Sequence, residues 1–150
     1  MSDNTLLIIF GTETGNAEDL AEDAKIIAAK YDLDATVADM DDVSVDDIAD
    51  AKRLLITCST WGEGDQPDNA QALYDDVCES DEGCMSGVNF AVLALGDTAF
   101  EFFCESGKQW DLIIEEKGGI RVKDRIDCDT DYEDFAEEWI ESAMEAFQSV

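Results

Sequence analysis

The sequence predicts an α/β fold, a doubly wound parallel sheet of five strands with helices on both faces. Short apolar runs alternate along the chain with longer segments whose apolar residues recur at helical spacing. Every long polar loop follows one of the apolar runs, and sheets of this class bind ligands beyond the carboxyl ends of their strands. A chain of 150 residues is the usual size of one domain, so we expect a single domain over residues 1–150.

Five segments are predicted as strands and four as helices. The predicted strands are residues 5–10, 33–38, 53–58, 89–95 and 120–126. The predicted helices run from the end of the loop 11–16 to about residue 30, from near residue 68, over 102–117 and over 131–147.

Three of these assignments show how the elements are recognised. The run 5–10 is apolar at nearly every position and stops at Gly11, which is typical of a strand buried on both faces. Residues 33–38 alternate between apolar and polar, which predicts an edge strand. The first helix carries acidic residues in its first turns, where the helix dipole favours anions, and Pro67 marks the start of the second helix.

Composition excludes several classes of protein. Nine basic and 38 acidic residues give a net charge of −29, which disfavours nucleic acid and anionic membranes as ligands and favours basic partners. The chain has no histidine, so imidazole catalysis and histidine-ligated metal sites are excluded. The five cysteines form no Cys-x-x-Cys pair, and the sequence contains neither a recognisable signal peptide nor a long apolar span. We therefore expect a cytoplasmic protein without a disulfide framework.

The loop after the first strand has the composition of a phosphate site. Residues 11–16, Gly-Thr-Glu-Thr-Gly-Asn, join a buried strand to the start of a helix, where free backbone N–H groups bind anions. The segment lacks the Gly-Lys-Ser/Thr of a nucleoside-triphosphate loop and the Gly-x-Gly-x-x-Gly of a dinucleotide loop. It predicts one phosphate group held without lysine or arginine. The alternative is a capped turn that binds nothing.

Two further loops place an aromatic residue after a buried strand. Trp61 lies between polar residues and glycines after the third strand, and Phe100 follows Gly96 and Asp97 after the fourth. A planar ligand between the two rings would bury both of them. The alternative is that each ring packs on its own loop.

The three loops, in this order and spacing over the whole chain, resemble those of short-chain flavodoxins. The segment 59–69, Ser-Thr-Trp-Gly-Glu-Gly-Asp-Gln-Pro-Asp-Asn, and the tail 124–139 are most similar to the FMN modules of diflavin reductases of the sulfite reductase type. The resemblance implies FMN as the cofactor and a flavodoxin-like strand order 2-1-3-4-5. That order is taken from the family and is not inferred from the strands themselves.

The resemblance also implies a set of cofactor-binding residues. These are Thr12, Glu13, Thr14, Gly15, Asn16, Ala17, Ser59, Thr60, Trp61, Gly62, Gly64, Leu95, Gly96, Asp97, Phe100, Phe103 and Cys104. The segment 12–17 would hold the phosphate, and Trp61 and Phe100 would cover the two faces of the flavin. Gly62 would present its carbonyl to flavin N5, and Asp97 with the backbone near 103–104 would meet the pyrimidine edge. Phe100 replaces a tyrosine that is usual in the family, and Ala17 stands where the family often has threonine.

The function expected from these features is that of a low-potential one-electron carrier, a monomer that passes electrons between a basic reductase and a basic acceptor and does no substrate turnover. The alternative is the FMN subunit of a reductase whose other flavin module is a separate chain. A response-regulator receiver requires a lysine after the last strand, and Lys123 lies within the predicted strand instead. The acidic surface has two explanations, partner docking and adaptation to a salt-rich cytoplasm.

Overall fold

The computed structural model describes residues 4–11, 16–59, 68–81, 83–95, 105–128 and 133–150. The strands are β1 (Thr5–Gly11), β2 (Asp34–Asp39), β3 (Arg53–Ser59), β4 (Asn89–Leu95), β5 (Ile120–Arg121) and β6 (Ile126–Cys128). The helices are α1 (Asn16–Lys30), α2 (Val45–Ala49), α3 (Asp68–Glu79), α4 (Glu105–Glu116) and α5 (Glu133–Gln148), with a 3-10 turn at Met40–Asp42.

The strands form one parallel sheet in the order β2-β1-β3-β4-β5, and β6 also pairs with β4. β3 is therefore the central strand. The register aligns the carboxyl ends of the inner strands, because Gly11 of β1 lies opposite Cys58 and Ser59 of β3 lies opposite Leu95 of β4. The predicted doubly wound fold and its strand order are confirmed.

Each face of the sheet is covered by its own set of helices. On one face, α1 and α5 bury a cluster that includes Leu93, Trp139 and Phe147. On the other face, α2, α3 and α4 bury a cluster around Phe90 and Trp110. The central strand supplies both clusters, since alternate side chains of a strand point to opposite faces. This alternation decides which helix each residue of β3 contacts.

The continuous fifth strand predicted over residues 120–126 is wrong, because two short strands occupy that position. β5 pairs with the start of β4 and β6 with its end. Residues 122–125 belong to neither strand, although the N–H of Val122 still donates to the carbonyl of Phe90 on β4 at 3.0 Å. Contacts to helices on both faces hold the interruption in place. Arg121 and Arg125 both pair with the buried carboxylate of Asp111 on α4, at 2.8 and 3.2 Å. Hydrogen bonding to Asp111 raises the pKa of Arg121.

From the opposite face of the sheet, α5 holds the same interruption. The indole Nε1 of Trp139 donates a 2.9 Å hydrogen bond to the carbonyl of Asp124. The carbonyl of Asp124, between the two short strands, is therefore bonded to the indole of α5.

The acidic crossing at 39–50 contains two short elements that the apolar pattern did not predict. The 3-10 turn begins after Asp39, whose carboxylate accepts from the N–H of Asp41 at 2.8 Å. Ser44 and Asp47 form a reciprocal capping box at the start of α2. The predicted helix starts at 102 and 131 lie outside the described residues.

At the amino end of β3, a buried arginine connects three parts of the chain. The Nε of Arg53 donates to the carbonyl of Phe147 at 2.8 Å, and its two terminal nitrogens donate to the carbonyls of Thr5 and Val150 at 3.3 and 2.6 Å. The side chain thereby satisfies carbonyls at the end of α5, which have no partner within the helix. Arg53 and the carbonyls that it binds lie at the amino end of β3, at the opposite edge of the sheet from the carboxyl ends of the inner strands.

In the described segments, no helix has both the length and the apolarity that crossing a membrane requires.

Candidate cofactor site

The carboxyl ends of β1, β3 and β4 lie side by side, and the three loops singled out by the sequence begin there. The chain continues from these loops into α1, α3 and α4 respectively. Three helix N-termini therefore follow three adjacent strand ends. The first N–H groups of an α-helix have no partner within the helix, so a cluster of helix starts favours an anionic ligand.

Four of the predicted cofactor-binding residues belong to described segments. Asn16 is the first residue of α1 and Ala17 the second, while Ser59 and Leu95 are the last residues of β3 and β4. Ala17 is fully buried, so any contact of this residue with a phosphate uses its backbone N–H. The other predicted contacts lie outside the described residues: Thr12, Glu13, Thr14, Gly15, Thr60, Trp61, Gly62, Gly64, Gly96, Asp97, Phe100, Phe103 and Cys104.

A hydrogen bond from the central strand holds the start of α1. The Oγ1 of Thr57 donates to the backbone carbonyl of Ala17 at 2.9 Å, and both residues are fully buried. Thr57 is the only polar residue among the buried side chains of 54–58 apart from a cysteine. A hydroxyl at this position of a buried strand needs a partner, and the first turn of α1 provides one.

The start of α4 is held to the other face of the same strand. The Oγ of Ser106 lies 3.2 Å from the Sγ of Cys58. Next to it, Gly107 packs directly on β4, where an added Cβ would lie 2.2 Å from the Cβ of Ala94. The helix backbone can approach the sheet this closely only because residue 107 has no side chain.

A third close contact joins the start of α3 to β1. A Cβ added at Gly11 would lie 2.8 Å from the Cβ of Ala70 and 2.9 Å from the Sδ of Met40. Small residues thus bring the first turns of α3 and α4 against the strand ends, and a hydrogen bond does the same for α1. The described residues form a tightly packed base beneath the three loops.

The cysteine in this base is not a reactive thiol. Burial raises the pKa of Cys58 to about 12, and hydrogen bonds with Ser106 and Trp110 lower it only in part. The thiol therefore stays protonated at neutral pH.

On the same face, the ring of Tyr74 packs edge-on against Trp110, with the ring centroids 5.3 Å apart, and burial raises the pKa of Tyr74 to about 12.

Sequence reasoning missed Thr57, Ser106 and Gly107. A signal was present for each of them, because Thr57 interrupts an apolar strand and Ser106-Gly107 places two small residues in the first turn of a helix. These residues determine where the helix starts lie.

Comparison with known proteins shows the family to which the chain belongs. The flavodoxin family model matches residues 8–140. The chain belongs to the flavodoxin family. The match includes all three loops and the strands and helices that position them, and it confirms the resemblance drawn from the motifs. The cofactor of this flavodoxin-family chain is FMN, and its function is electron transfer.

Similar proteins include components of larger reductases. The chain is 39% identical over 137 residues to the sulfite reductase [NADPH] flavoprotein alpha-component of Bacillus subtilis (strain 168), with 91% of this chain and 23% of that protein covered. It is 37% identical over 139 residues to the corresponding component of Vibrio parahaemolyticus, with 93% and 22% covered. The chain thus spans less than a quarter of the length of these two relatives.

Solved flavodoxins have the same fold. A flavodoxin of Streptococcus pneumoniae TIGR4 superposes with a TM-score of 0.87 at 23% identity, covering 97% of this chain and 98% of that one. A flavodoxin variant of Pseudomonas aeruginosa superposes with a TM-score of 0.85 at 26% identity, covering 96% and 99%. The chain therefore has nearly the same extent as these flavodoxins, although its more similar sequences belong to longer proteins.

Proposed function

We propose that this chain carries single electrons at low potential between a reductase and acceptor redox proteins, and that it turns over no substrate of its own. The observation that carries the proposal is the convergence of three helix starts on the carboxyl ends of β1, β3 and β4 in a chain of the flavodoxin family. FMN supplies one-electron redox chemistry when bound. The protein binds FMN, orients it and sets the electrostatic field around it.

The phosphate is held at the start of α1 and the flavin between the other two loops. This assignment takes the segment 12–17 for the phosphate, 59–64 for the ribityl chain and one flavin face, and 95–104 for the other face and the pyrimidine edge. The position of Asn16 and Ala17 in the first turn of α1 supports it, because their N–H groups are those that the helix leaves without an internal partner. No basic side chain is needed for this mode of binding.

The negative charge of the protein supports a low potential. A net charge of −29 disfavours the gain of further negative charge within the protein's field. One carboxylate about 10 Å from a reduced, negatively charged flavin raises the free energy of that flavin by up to roughly 1.7 kcal/mol at an effective dielectric constant of about 20, before screening by salt. The same charge favours basic redox partners and keeps identical chains apart, which supports a monomer.

A second function is favoured by the relatives. Because the chain is 39% identical to part of a sulfite reductase [NADPH] flavoprotein component, it also suits the FMN subunit of a reductase whose NADPH-oxidising module is a separate polypeptide. In that arrangement the electron path is the same. What differs is the lifetime of the complex with the reductase module.

The test starts with cofactor content and redox behaviour. The purified protein should be yellow, release FMN on denaturation and accept two electrons in well-separated one-electron steps in a reductive titration. A folded protein that stays colourless with added FMN, or that takes both electrons in one step, would overturn the proposal.

A second measurement distinguishes the two functions. An FAD-containing NADPH oxidoreductase is mixed with the chain, and complex formation is followed by size-exclusion chromatography while electron transfer is followed by absorbance. A free carrier gives salt-sensitive transfer without a stable complex. A stable one-to-one complex that elutes intact at high salt would support the subunit function instead.

A further inference from the structure

Thr57 makes a buried hydrogen bond whose position is unusual for a strand residue. It lies two residues before the end of β3, among the other buried side chains of the central strand. Its hydroxyl reaches out of the sheet to the carbonyl of Ala17, 40 positions away in the sequence, at 2.9 Å. The bond joins the central strand to the second residue of α1.

The bonded carbonyl belongs to a peptide unit at the start of the helix. The carbonyl of Ala17 and the N–H of Glu18 form one planar group, so fixing the carbonyl fixes the direction of that N–H. The N–H of Glu18 is among the first donors of α1, which the helix itself does not use. A hydrogen bond to the carbonyl of a peptide also polarises its N–H and makes it a better donor.

From this geometry we infer that Thr57 is a positioning residue that makes the protein prefer FMN to riboflavin. It aims the first-turn N–H groups of α1 at the phosphate, which riboflavin lacks. The inference rests on the proposed placement of the phosphate at the start of α1. The flavin ring and ribityl chain are common to both ligands, so Thr57 affects only the phosphate-dependent part of the affinity.

The next residue of β3 supplies a matched comparison. Cys58 points to the opposite face and meets Ser106 in the first turn of α4 at 3.2 Å, and both partners are fully buried. The two hydrogen bonds are similar in burial and are anchored on adjacent residues, but they hold different helices. Loss of the Ser106 hydroxyl should therefore leave the preference for FMN over riboflavin unchanged.

The experiment measures dissociation constants of the apoprotein for FMN and for riboflavin by fluorescence quenching, at one pH and one salt concentration. The variants are Thr57→Val, which keeps the side-chain shape without the hydroxyl, Thr57→Ser, which keeps the hydroxyl, and Ser106→Ala. Thr57→Val should reduce the FMN affinity about tenfold and the riboflavin affinity less than twofold. Thr57→Ser should retain at least half of the preference, and Ser106→Ala should retain all of it.

Folding should survive the change, because the Ala17 carbonyl keeps its own helical partner four residues along the chain. Circular dichroism and riboflavin binding verify this, and Thr57→Ala replaces Thr57→Val if the valine variant does not fold. The inference is overturned if the variant lacking the hydroxyl keeps the wild-type ratio of FMN to riboflavin affinity, or if Ser106→Ala lowers the ratio as much. A wild-type protein that binds riboflavin and FMN equally also overturns it, whereas one that binds neither overturns the proposed function itself.

Discussion

At the scale of single residues, the absence of side-chain atoms is as important at this rim as their presence. Gly11 and Gly107 both face buried neighbours, at contact distances that no Cβ tolerates. Neither glycine is required for a left-handed backbone conformation, because positive φ values are found at Gly83, Gly87 and Gly118 among the described glycines. Their purpose is close packing of helix starts on strand ends. Substitution at either position should therefore act on the loops above.

Replacing Gly107 with alanine should destabilise the protein by about 1–3 kcal/mol and weaken FMN binding at the same time. The new Cβ would lie 2.2 Å from the Cβ of Ala94, so the first turn of α4 must move away from β4. Urea denaturation and FMN titration measure the two effects. Lys108→Ala, in the same turn, is the control and should leave both quantities within about 0.5 kcal/mol of wild type.

A double variant identifies the contact responsible. Ala94→Gly removes the Cβ with which the new methyl group collides, so adding it to Gly107→Ala should restore part of the lost stability although Ala94→Gly is harmful by itself. Simple addition of the two single effects would show that the Gly107–Ala94 contact is not the cause.

The buried thiol should make the protein less stable in alkali. Burial raises the pKa of Cys58 from 9.0 to about 12, so the unfolded chain loses this proton at lower pH than the folded protein does. The contribution of the protonated Cys58 thiol to the free energy of unfolding is complete below pH 9 and is lost as the pH rises towards 12. Urea denaturation from pH 8 to 11 should show a falling free energy of unfolding, with a shallower fall in Cys58→Ala. Parallel curves for the two proteins would contradict the assignment.

At the scale of secondary-structure elements, the sequence predicts the strands that line the site and misses the elements that depend on distant partners. β4 was predicted with its observed bounds, because an uninterrupted apolar run ends at a glycine. The division between β5 and β6 was missed because Ile120, Val122 and Ile126 would all lie on the same face of one continuous strand. The interruption depends on contacts with two distant helices, the arginine pairs with Asp111 of α4 and the bond from Trp139 of α5.

For α2 and for the site, the sequence likewise predicts what depends on local pattern and misses what depends on distant contacts. α2 has five residues, too few for helical periodicity, although the Ser44-x-x-Asp47 capping pattern was available as a signal. The strand ends that carry the predicted loops, and with them Leu95, lie together as expected. The predicted contacts in the loops themselves remain predictions. The close contacts beneath the loops were not predictable, because they depend on which strand and which face of the sheet each helix start meets.

The arginine at the amino end of β3 should contribute to stability without affecting the cofactor. Arg53→Met keeps most of the aliphatic stem but removes the three hydrogen bonds to the carbonyls of Thr5, Phe147 and Val150. We expect a loss of about 2–4 kcal/mol in the free energy of unfolding.

The adjacent exposed residue provides the control for this change. Lys52→Met should change the stability by less than about 0.5 kcal/mol. Because Arg53 lies at the opposite edge of the sheet, FMN affinity measured at low denaturant should equal that of wild type. A loss of FMN affinity in folded Arg53→Met would contradict the separation of the two edges.

At the scale of the whole molecule, the large negative charge of the protein opposes the binding of an anionic cofactor. The chain carries 38 acidic and nine basic residues. Carbonyls or carboxylates of the protein itself bind at least four of the basic side chains, those of Arg53, Lys117, Arg121 and Arg125. The overall field of the protein is therefore strongly negative, yet FMN, which we propose binds at this rim, carries a phosphate. Local N–H groups must attract the phosphate against long-range repulsion by the rest of the protein.

This opposition predicts that salt strengthens FMN binding. Raising the ionic strength from about 0.01 to 0.1 M shortens the screening length from about 30 to 10 Å, which weakens long-range repulsion but not direct hydrogen bonds. The dissociation constant for FMN should fall by roughly three- to tenfold, while that for uncharged riboflavin stays constant. An FMN affinity that falls with added salt would show that direct ion pairs, and not backbone donors, hold the phosphate.

The hydrogen bonds of the Arg53 guanidinium group also have a use in protein engineering. One guanidinium group holds the carbonyls of Thr5 and Val150, so the beginning and the end of the described fold lie beside each other, away from the carboxyl ends of the inner strands. A short glycine-serine tether between them would give a circular permutant with its redox centre intact. New termini opened between the exposed residues Ser86 and Gly87, before the amino end of β4, would then allow a reporter domain to be attached away from the carboxyl ends of the strands.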